Sequence, residues 1–232
     1  MDLTLLDVAR VSREACAEAF RQVTGQPLVA LPQTAGRTDS EIFFEALALN
    51  DVPAGGTDDQ ELLARYFAAL RDAFAARREL LPSLGRLLPG AMEAVTAAGQ
   101  LPGVAQSVLT GTIEPNAAAK LQAFGLSGHL EEDIGGYCSA VYPKGAELLR
   151  ARMRAGQKHG VTFDAGATVY LADSTRDVTA ALTGGARMIA VATGRSTAAE
   201  LREAGAGAVL ADLSDTAAVT AAIEELTAPV TA

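Results

Sequence analysis

Asp173 and Asp177 have the spacing most suggestive of chemistry. Asp173 closes an apolar run, Val169-Tyr170-Leu171-Ala172, and Asp177 follows four residues later. A strand that leads straight into a helix would aim both carboxylates into one small volume. Hard oxygen donors of this kind suit Mg2+, which takes one or two carboxylates and completes its shell with water and phosphate oxygens. A second reading stands beside the first: acids at a helix start cap free amides and interact favourably with the helix dipole. Asp2-Leu3-Thr4 and Thr110-Gly111 supply further polar groups. Thr before Gly is an ordinary turn pair. It also offers a phosphate a hydroxyl and exposed amides, with Gly111 permitting close approach. The chain has three lysines, Lys120, Lys144 and Lys158. Lys144, placed at a helix start after Tyr142-Pro143, is the candidate to neutralise such a phosphate; Lys120, within the preceding helix, competes for that role.

Composition narrows the partners. A length of 232 residues with 49% apolar content and a mean hydropathy of +0.18 supports a substantial core, as one large domain or a core with an insertion. The net charge of −9 and pI near 4.8 argue against nucleic acid, whose proteins neutralise phosphates with Lys and Arg. A phosphorylated ligand must therefore meet local positive charge or a metal ion. No apolar run approaches the roughly 18 residues of a membrane span, and the amino-terminal stretch lacks the pattern of a signal peptide, so a cytoplasmic protein is expected. Cys16 and Cys138 are isolated and read as packing residues.

Two textures must position these groups. Val8 to Val23, Thr38 to Leu49 and Thr57 to about Arg78 read as helices, the last with Leu62, Leu63, Tyr66, Phe67, Leu70 and Phe74 on one face. Thr38-Asp39-Ser40-Glu41 and Thr57-Asp58-Asp59-Gln60 carry the capping-box pattern. From about residue 88 helices alternate with short apolar runs. Strands are expected at 105–110, near 131–136, and at 167–172, 187–192 and 207–210. Helices are expected at 90–99, 115–124, 144–157, 176–183, 197–204 and 215–226. Pro115 and Gly125 bracket one of these helices. The alternation predicts an α/β fold with a parallel sheet covered on both faces. Ligands of such sheets bind beyond the carboxyl ends of the strands, which is where Asp2, Thr4, Thr110, Asp173 and Asp177 fall.

The order Asp2/Thr4, Thr110, Lys144, Asp173/Asp177 resembles the haloacid dehalogenase-like superfamily, in which Asp-x-Asp-x-Thr, a Ser or Thr, a Lys or Arg and a paired acidic motif follow one another. The segments Thr110-Gly111-Thr112-Ile113-Glu114-Pro115, Phe124-Gly125-Leu126 and Gly185 to Gly194 are similar to its phosphoglycolate phosphatase-like branch. Leu3, Thr112 and Ala172 depart from the usual Gly, Asn and Gly. The resemblance implies a Rossmann-like core, residues 1–6 and 86–232, with an inserted α-helical cap, residues 7–85. It places Met1 at the x of Asp-x-Asp, so that the nucleophilic Asp is expected immediately upstream of Met1.

The resemblance further implies a Mg2+-dependent phosphatase that hydrolyses a small phosphorylated metabolite through an aspartyl-phosphate. Asp2 would act as acid and base, and Thr110 and Lys144 would stabilise the phosphoryl group. Asp173 and Asp177 would hold the metal, joined by Asp2 through its backbone carbonyl. Thr4, Gly111 and Arg37, in the cap loop Gly36-Arg37-Thr38-Asp39, would bind substrate. The alternative is a non-catalytic relative that binds a phosphorylated metabolite or a protein partner.

Overall fold

A computed structural model of the chain describes residues 1–54, 58–139 and 142–228. Residues 1–6 form a tight turn in which the Met1 carbonyl accepts from the amides of Thr4, Leu5 and Leu6. Leu3 has a φ of 57° at the position where the resemblance expects glycine. That left-handed conformation costs a side-chain-bearing residue on the order of 1 kcal/mol. Thr193 Oγ1 donates to the Leu3 carbonyl at 2.6 Å and ties the turn to a distant loop.

Strand β1 (Leu6–Asp7) pairs antiparallel with β2 (Arg86–Leu87), so the chain leaves and rejoins the core side by side. Between them lie α1 (Ala9–Thr24), α2 (Asp39–Leu49), α3 (Asp59–Ala75) and the short α4 (Leu81–Leu84). The capping box at Thr38 forms: its hydroxyl accepts from the Glu41 amide, while Glu41 accepts from the Thr38 amide. The second expected box begins at Thr57, outside the described residues. The expected apolar face of α3 buries Leu63, Tyr66, Leu70 and Phe74, and Phe43 stacks on Tyr66 with ring centroids 4.0 Å apart. This cluster continues into Ile113, Ala117 and Leu121, so the helical segment shares its core with α6.

The remainder holds α5 (Ala91–Gly99), α6 (Glu114–Ala123), α7 (Lys144–His159), β3 (Val169–Ala172), α8 (Thr175–Gly184), β4 (Arg187–Val191), α9 (Ala198–Glu203), β5 (Ala208–Leu210) and α10 (Thr216–Thr227). Strands β3, β4 and β5 form a parallel sheet in that order. Alternation along the strands sends Tyr170, Ala172, Met188 and Ala190 to a cluster with α7, α8 and α9. It sends Leu171 and Val191 to a cluster with α5 and α10. Helices therefore cover both faces, as the sequence pattern predicts. The expected strands at 105–110 and 131–136 do not form as such: one parallel bridge, Leu109 to Gly136, joins the two segments, and 132–134 is a 3-10 turn. A strand needs neighbours to make its ladder, and these segments have only each other. Among the described residues no helix is long and apolar enough to cross a membrane.

Candidate active site

The motif residues meet in one pocket of about 640 Å³ between the helical segment and the ends of β3 and the 105–110 segment. Asp2, Thr110, Gly111, Lys144, Asp173 and Asp177 line its core side. Arg37, Ser12 and Tyr66 line the opposite side. Thr4 does not line it; its hydroxyl, buried below, donates to the Asp173 carboxylate at 2.8 Å.

Two ion pairs, one buried on both sides and one with its lysine buried and its carboxylate partly exposed, organise the charges. Lys144, at the start of α7, donates to Asp177 at 2.8 Å. The same carboxylate accepts from the Tyr170 hydroxyl at 2.8 Å and from the Ser174 hydroxyl at 2.6 Å. Burial opposes ionisation of Asp177, but the Lys144 charge and these donors outweigh it and hold its pKa below the usual range. Burial and the Asp177 charge keep the Tyr170 phenol protonated, hence a donor. Lys120 reaches both oxygens of Asp2, at 2.9 and 3.0 Å. Burial again opposes ionisation, and the Lys120 charge prevails, so Asp2 also titrates low. Asp173 goes the other way. Burial comes first and the Asp177 charge adds to it, raising its proton affinity despite the Met1 ammonium, the Thr4 hydroxyl and Lys144. Among the described residues no three His, Cys, Asp or Glu side chains gather as a metal-binding group.

Lys144 and Lys120 thus both enter the site, each with its own carboxylate. Sequence reasoning weighed Lys120 as a competitor. Its position on a face with Ala117 and Leu121, both fully buried, was the available signal for an inward-facing lysine. Tyr170 and Ser174 were not singled out, because a tyrosine in a strand reads as core and a serine before a helix reads as a cap. Ser174 does cap α8, accepting from the Asp177 amide at 3.2 Å. Gly194 packs so closely on Asp173 that a side chain there would overlap its carboxylate.

The loop 36–39 docks on these motifs. The Asp39 amide donates to the Gly111 carbonyl at 2.7 Å, and the Asp39 carboxylate accepts from the Ile113 amide at 2.9 Å. Gly36, with a φ of +69°, lies against Ser174. Arg37 pairs with Glu45, while its Nε is buried without a partner. Burial lifts the Asp39 pKa from 3.8 to about 6, even with the Ile113 amide and Lys120 working against it. A carboxyl that binds its proton more tightly when folded stabilises the fold at low pH, and that contribution is lost as pH rises from about 4 to about 6. Asp39→Asn keeps an acceptor for Ile113 and removes the charge. The variant is expected to gain on the order of 2 kcal/mol over the parent at pH 7 and almost nothing at pH 4. Urea unfolding of both proteins at the two pH values checks this; an equal difference at both would contradict the assignment.

The chain belongs to the haloacid dehalogenase-like hydrolase family, whose model matches residues 1–182. No curated protein matches it. Among solved structures it is similar to a hydrolase from Pseudomonas syringae, with 19% identity over 96% of this chain and 95% of that one at a TM-score of 0.67. It is also similar to a predicted phosphatase from Clostridium acetobutylicum, with 16% identity over 94% of each chain at 0.68. A third is a predicted phosphoglycolate phosphatase from Haemophilus somnus, with 17% identity over 95% of each chain at 0.61. At these identities the likeness establishes the fold, and it agrees with the family resemblance carried by the motifs.

Proposed function

We propose that this protein is a Mg2+-dependent phosphatase acting on a small phosphomonoester through an aspartyl-phosphate, with the attacking carboxylate on the residue immediately before Met1. The observation that supports this most is the meeting of Lys144, Thr110, Asp2 and the Asp173/Asp177 pair at one pocket beside Met1. A carboxylate that attacks a phosphate ester brings two anions together, so fixed positive charge must be in place beforehand.

The donor chemistry of Asp173 and Asp177 fits Mg2+. Two buried carboxylates, one just past the end of β3 and one in the first turn of α8, line the same pocket. These two would hold the ion, with Asp2 contributing its backbone carbonyl. When bound, it would supply positive charge to the phosphoryl oxygens. Lys144 fixes Asp177 and adds its ammonium, and Thr110 offers its hydroxyl beside Gly111. Asp2 would pass a proton to the leaving alcohol and then take one from water; its pairing with Lys120 favours the second task. The helical segment acts as a cap that excludes water, and Arg37 with its unpartnered Nε faces the leaving group.

The test is Mg2+-dependent phosphate release from a panel of phosphomonoesters. Three chains are compared: this one, one extended upstream by an apolar strand ending in Asp, and one whose extension ends in Asn. Release by the Asp-ended chain alone is expected. A folded Asp-ended chain that releases nothing would overturn the reading in favour of a protein that binds a phosphorylated metabolite or a protein partner.

A further inference from the structure

The polar pocket is larger than its chemistry needs. Asp2, Thr110, Lys144, Asp173 and Asp177 meet on its core side, yet its volume of about 640 Å³ is that of a site for a whole organic ligand rather than for one phosphoryl group. The excess runs into the helical segment along α1. This helix leaves β1 at the core and carries the chain about 24 Å away, whereas the 36–39 loop is back on the core at Gly111 and Ser174, so residues 26–35 return alongside the helix. Between helix and returning segment lies a lobe of the pocket. Ala9, Ser12, Arg13, Cys16 and Ala17, spaced at three and four residues, border it over about 12 Å of α1. All but Arg13 are small, which leaves the space open. Leu28, Val29, Leu31 and Pro32 form the facing wall. That wall is fixed in place: Asn50 Oδ1 accepts from the amides of Val29 and Ala30, both at 2.9 Å, and Nδ2 donates to the carbonyls of Ala30 and Ala46 at 2.8 and 2.7 Å. The clamp holds Val29 at the rim with its apolar side chain 85% exposed.

The lobe offers few polar contacts. The Cys16 thiol is engaged with the Tyr66 hydroxyl at 3.2 Å, and Ser12 Oγ is enclosed by protein. Arg13 and Gln33 are exposed and stand at the rim. A sugar placed here would bury hydroxyls without partners, a cost that a hydrocarbon body avoids. We infer that the lobe receives the leaving group, and that the substrate is the phosphomonoester of an extended apolar alcohol, alkyl or aryl, about 12 Å long. Its hydrocarbon lies between α1 and the Leu28–Pro32 wall, continuous with the phosphate end of the same pocket. Only the placement of the phosphoryl group beside Lys144 and Thr110 rests on the proposed function.

The test is calorimetric titration of the chain, with Mg2+ present, by ethyl, butyl, hexyl, octyl and decyl phosphate below their critical micelle concentrations, by glucose 6-phosphate and by 1-hexanol. Thiol labelling is followed by mass spectrometry in the same solutions, at Cys16, which lines the pocket, and at Cys138, which lies against Ser40. Each added methylene is expected to tighten binding about threefold to fourfold, with a plateau near octyl. Hexyl phosphate is expected to bind roughly tenfold or more tighter than glucose 6-phosphate and to slow labelling of Cys16 but not of Cys138. Ala17→Leu shortens the lobe and is expected to bring the plateau to a shorter chain. Tighter binding of glucose 6-phosphate, or hexyl phosphate that leaves Cys16 as reactive as before, overturns the lobe. Equal affinity along the series, with ethyl phosphate still bound, removes the lobe and leaves the phosphate site standing. Protection of Cys16 by 1-hexanol as strong as that by hexyl phosphate upholds the lobe and overturns the phosphate site.

Discussion

Replacing Lys144 by methionine is expected to destabilise the fold by about 3–5 kcal/mol, the range for removing one member of a buried ion pair. The side chains of Lys144 and Asp177 are 10% and 4% exposed, so little water remains to solvate the carboxylate left behind. Tyr170 and Ser174 still donate to it, but burial then dominates and its pKa rises. The sign of the pH dependence follows. In the parent, the depressed Asp177 pKa contributes stability above the unfolded carboxyl value, and that stability is lost on acidification through the lower folded value. In Lys144→Met the folded pKa lies above the unfolded one, so this group favours the fold at low pH and its contribution falls as pH rises. Adding Asp177→Asn to Lys144→Met removes the orphaned charge and is expected to recover most of the loss. Urea unfolding across pH 4–8 for the parent, the single variants and the double variant measures this. A Lys144→Met protein as stable as the parent at pH 7 would show that the pair is solvated.

Gly111→Ala is expected to unseat the helical segment. A methyl group on Gly111 would overlap the Arg37 backbone carbonyl, which cannot swing aside as a flexible side chain would. The loop must retreat, and the Asp39–Gly111 and Asp39–Ile113 hydrogen bonds go with it. Overpacking of this kind costs about 1–3 kcal/mol. The functional effect is larger: in the Asp-extended chain, misplacing the pocket wall by about 1 Å is expected to lower phosphate release about 100-fold. Two thiols report the opening independently of activity. Cys16 lies against the Tyr66 hydroxyl at 3.2 Å, Cys138 lies against Ser40, and burial lifts both pKa values to about 11. Labelling by a disulfide reagent at pH 8 should therefore be slow in the parent and roughly tenfold faster in Gly111→Ala. Unchanged labelling together with unchanged release would mean that the loop accommodates the methyl group in place.

Helices were legible wherever an apolar face repeated with helical period. Leu63, Tyr66, Leu70 and Phe74 lie inward as their spacing requires, and the Thr38 capping box closes. β3, β4 and β5 were legible because runs apolar on both faces signal a covered parallel sheet. The segments 105–110 and 131–136 have similar texture yet make only one bridge, since a strand is defined by partners that local pattern does not contain. The same limit applies within the site. Residue type and order pointed to Asp2, Thr110, Lys144, Asp173 and Asp177, which all reach the pocket. The pairing of Lys120 with Asp2, 118 positions apart, and the docking of Asp39 on Ile113 are long-range contacts without a local signature. Leu3 occupies a left-handed position at which the family resemblance expects glycine.

The central claim is a covalent phosphoryl transfer to a carboxylate adjoining Met1. It is tested most directly by acid-quenching the Asp-extended chain during turnover of a phosphomonoester radiolabelled in its phosphate, with Mg2+ present, and mapping the label by proteolysis. The account predicts a hydroxylamine-sensitive label on the amino-terminal peptide, at the Asp preceding Met1, and none in the Asn-extended chain. Turnover with no label on that residue, or a label on Asp2 or Asp173 instead, would contradict it.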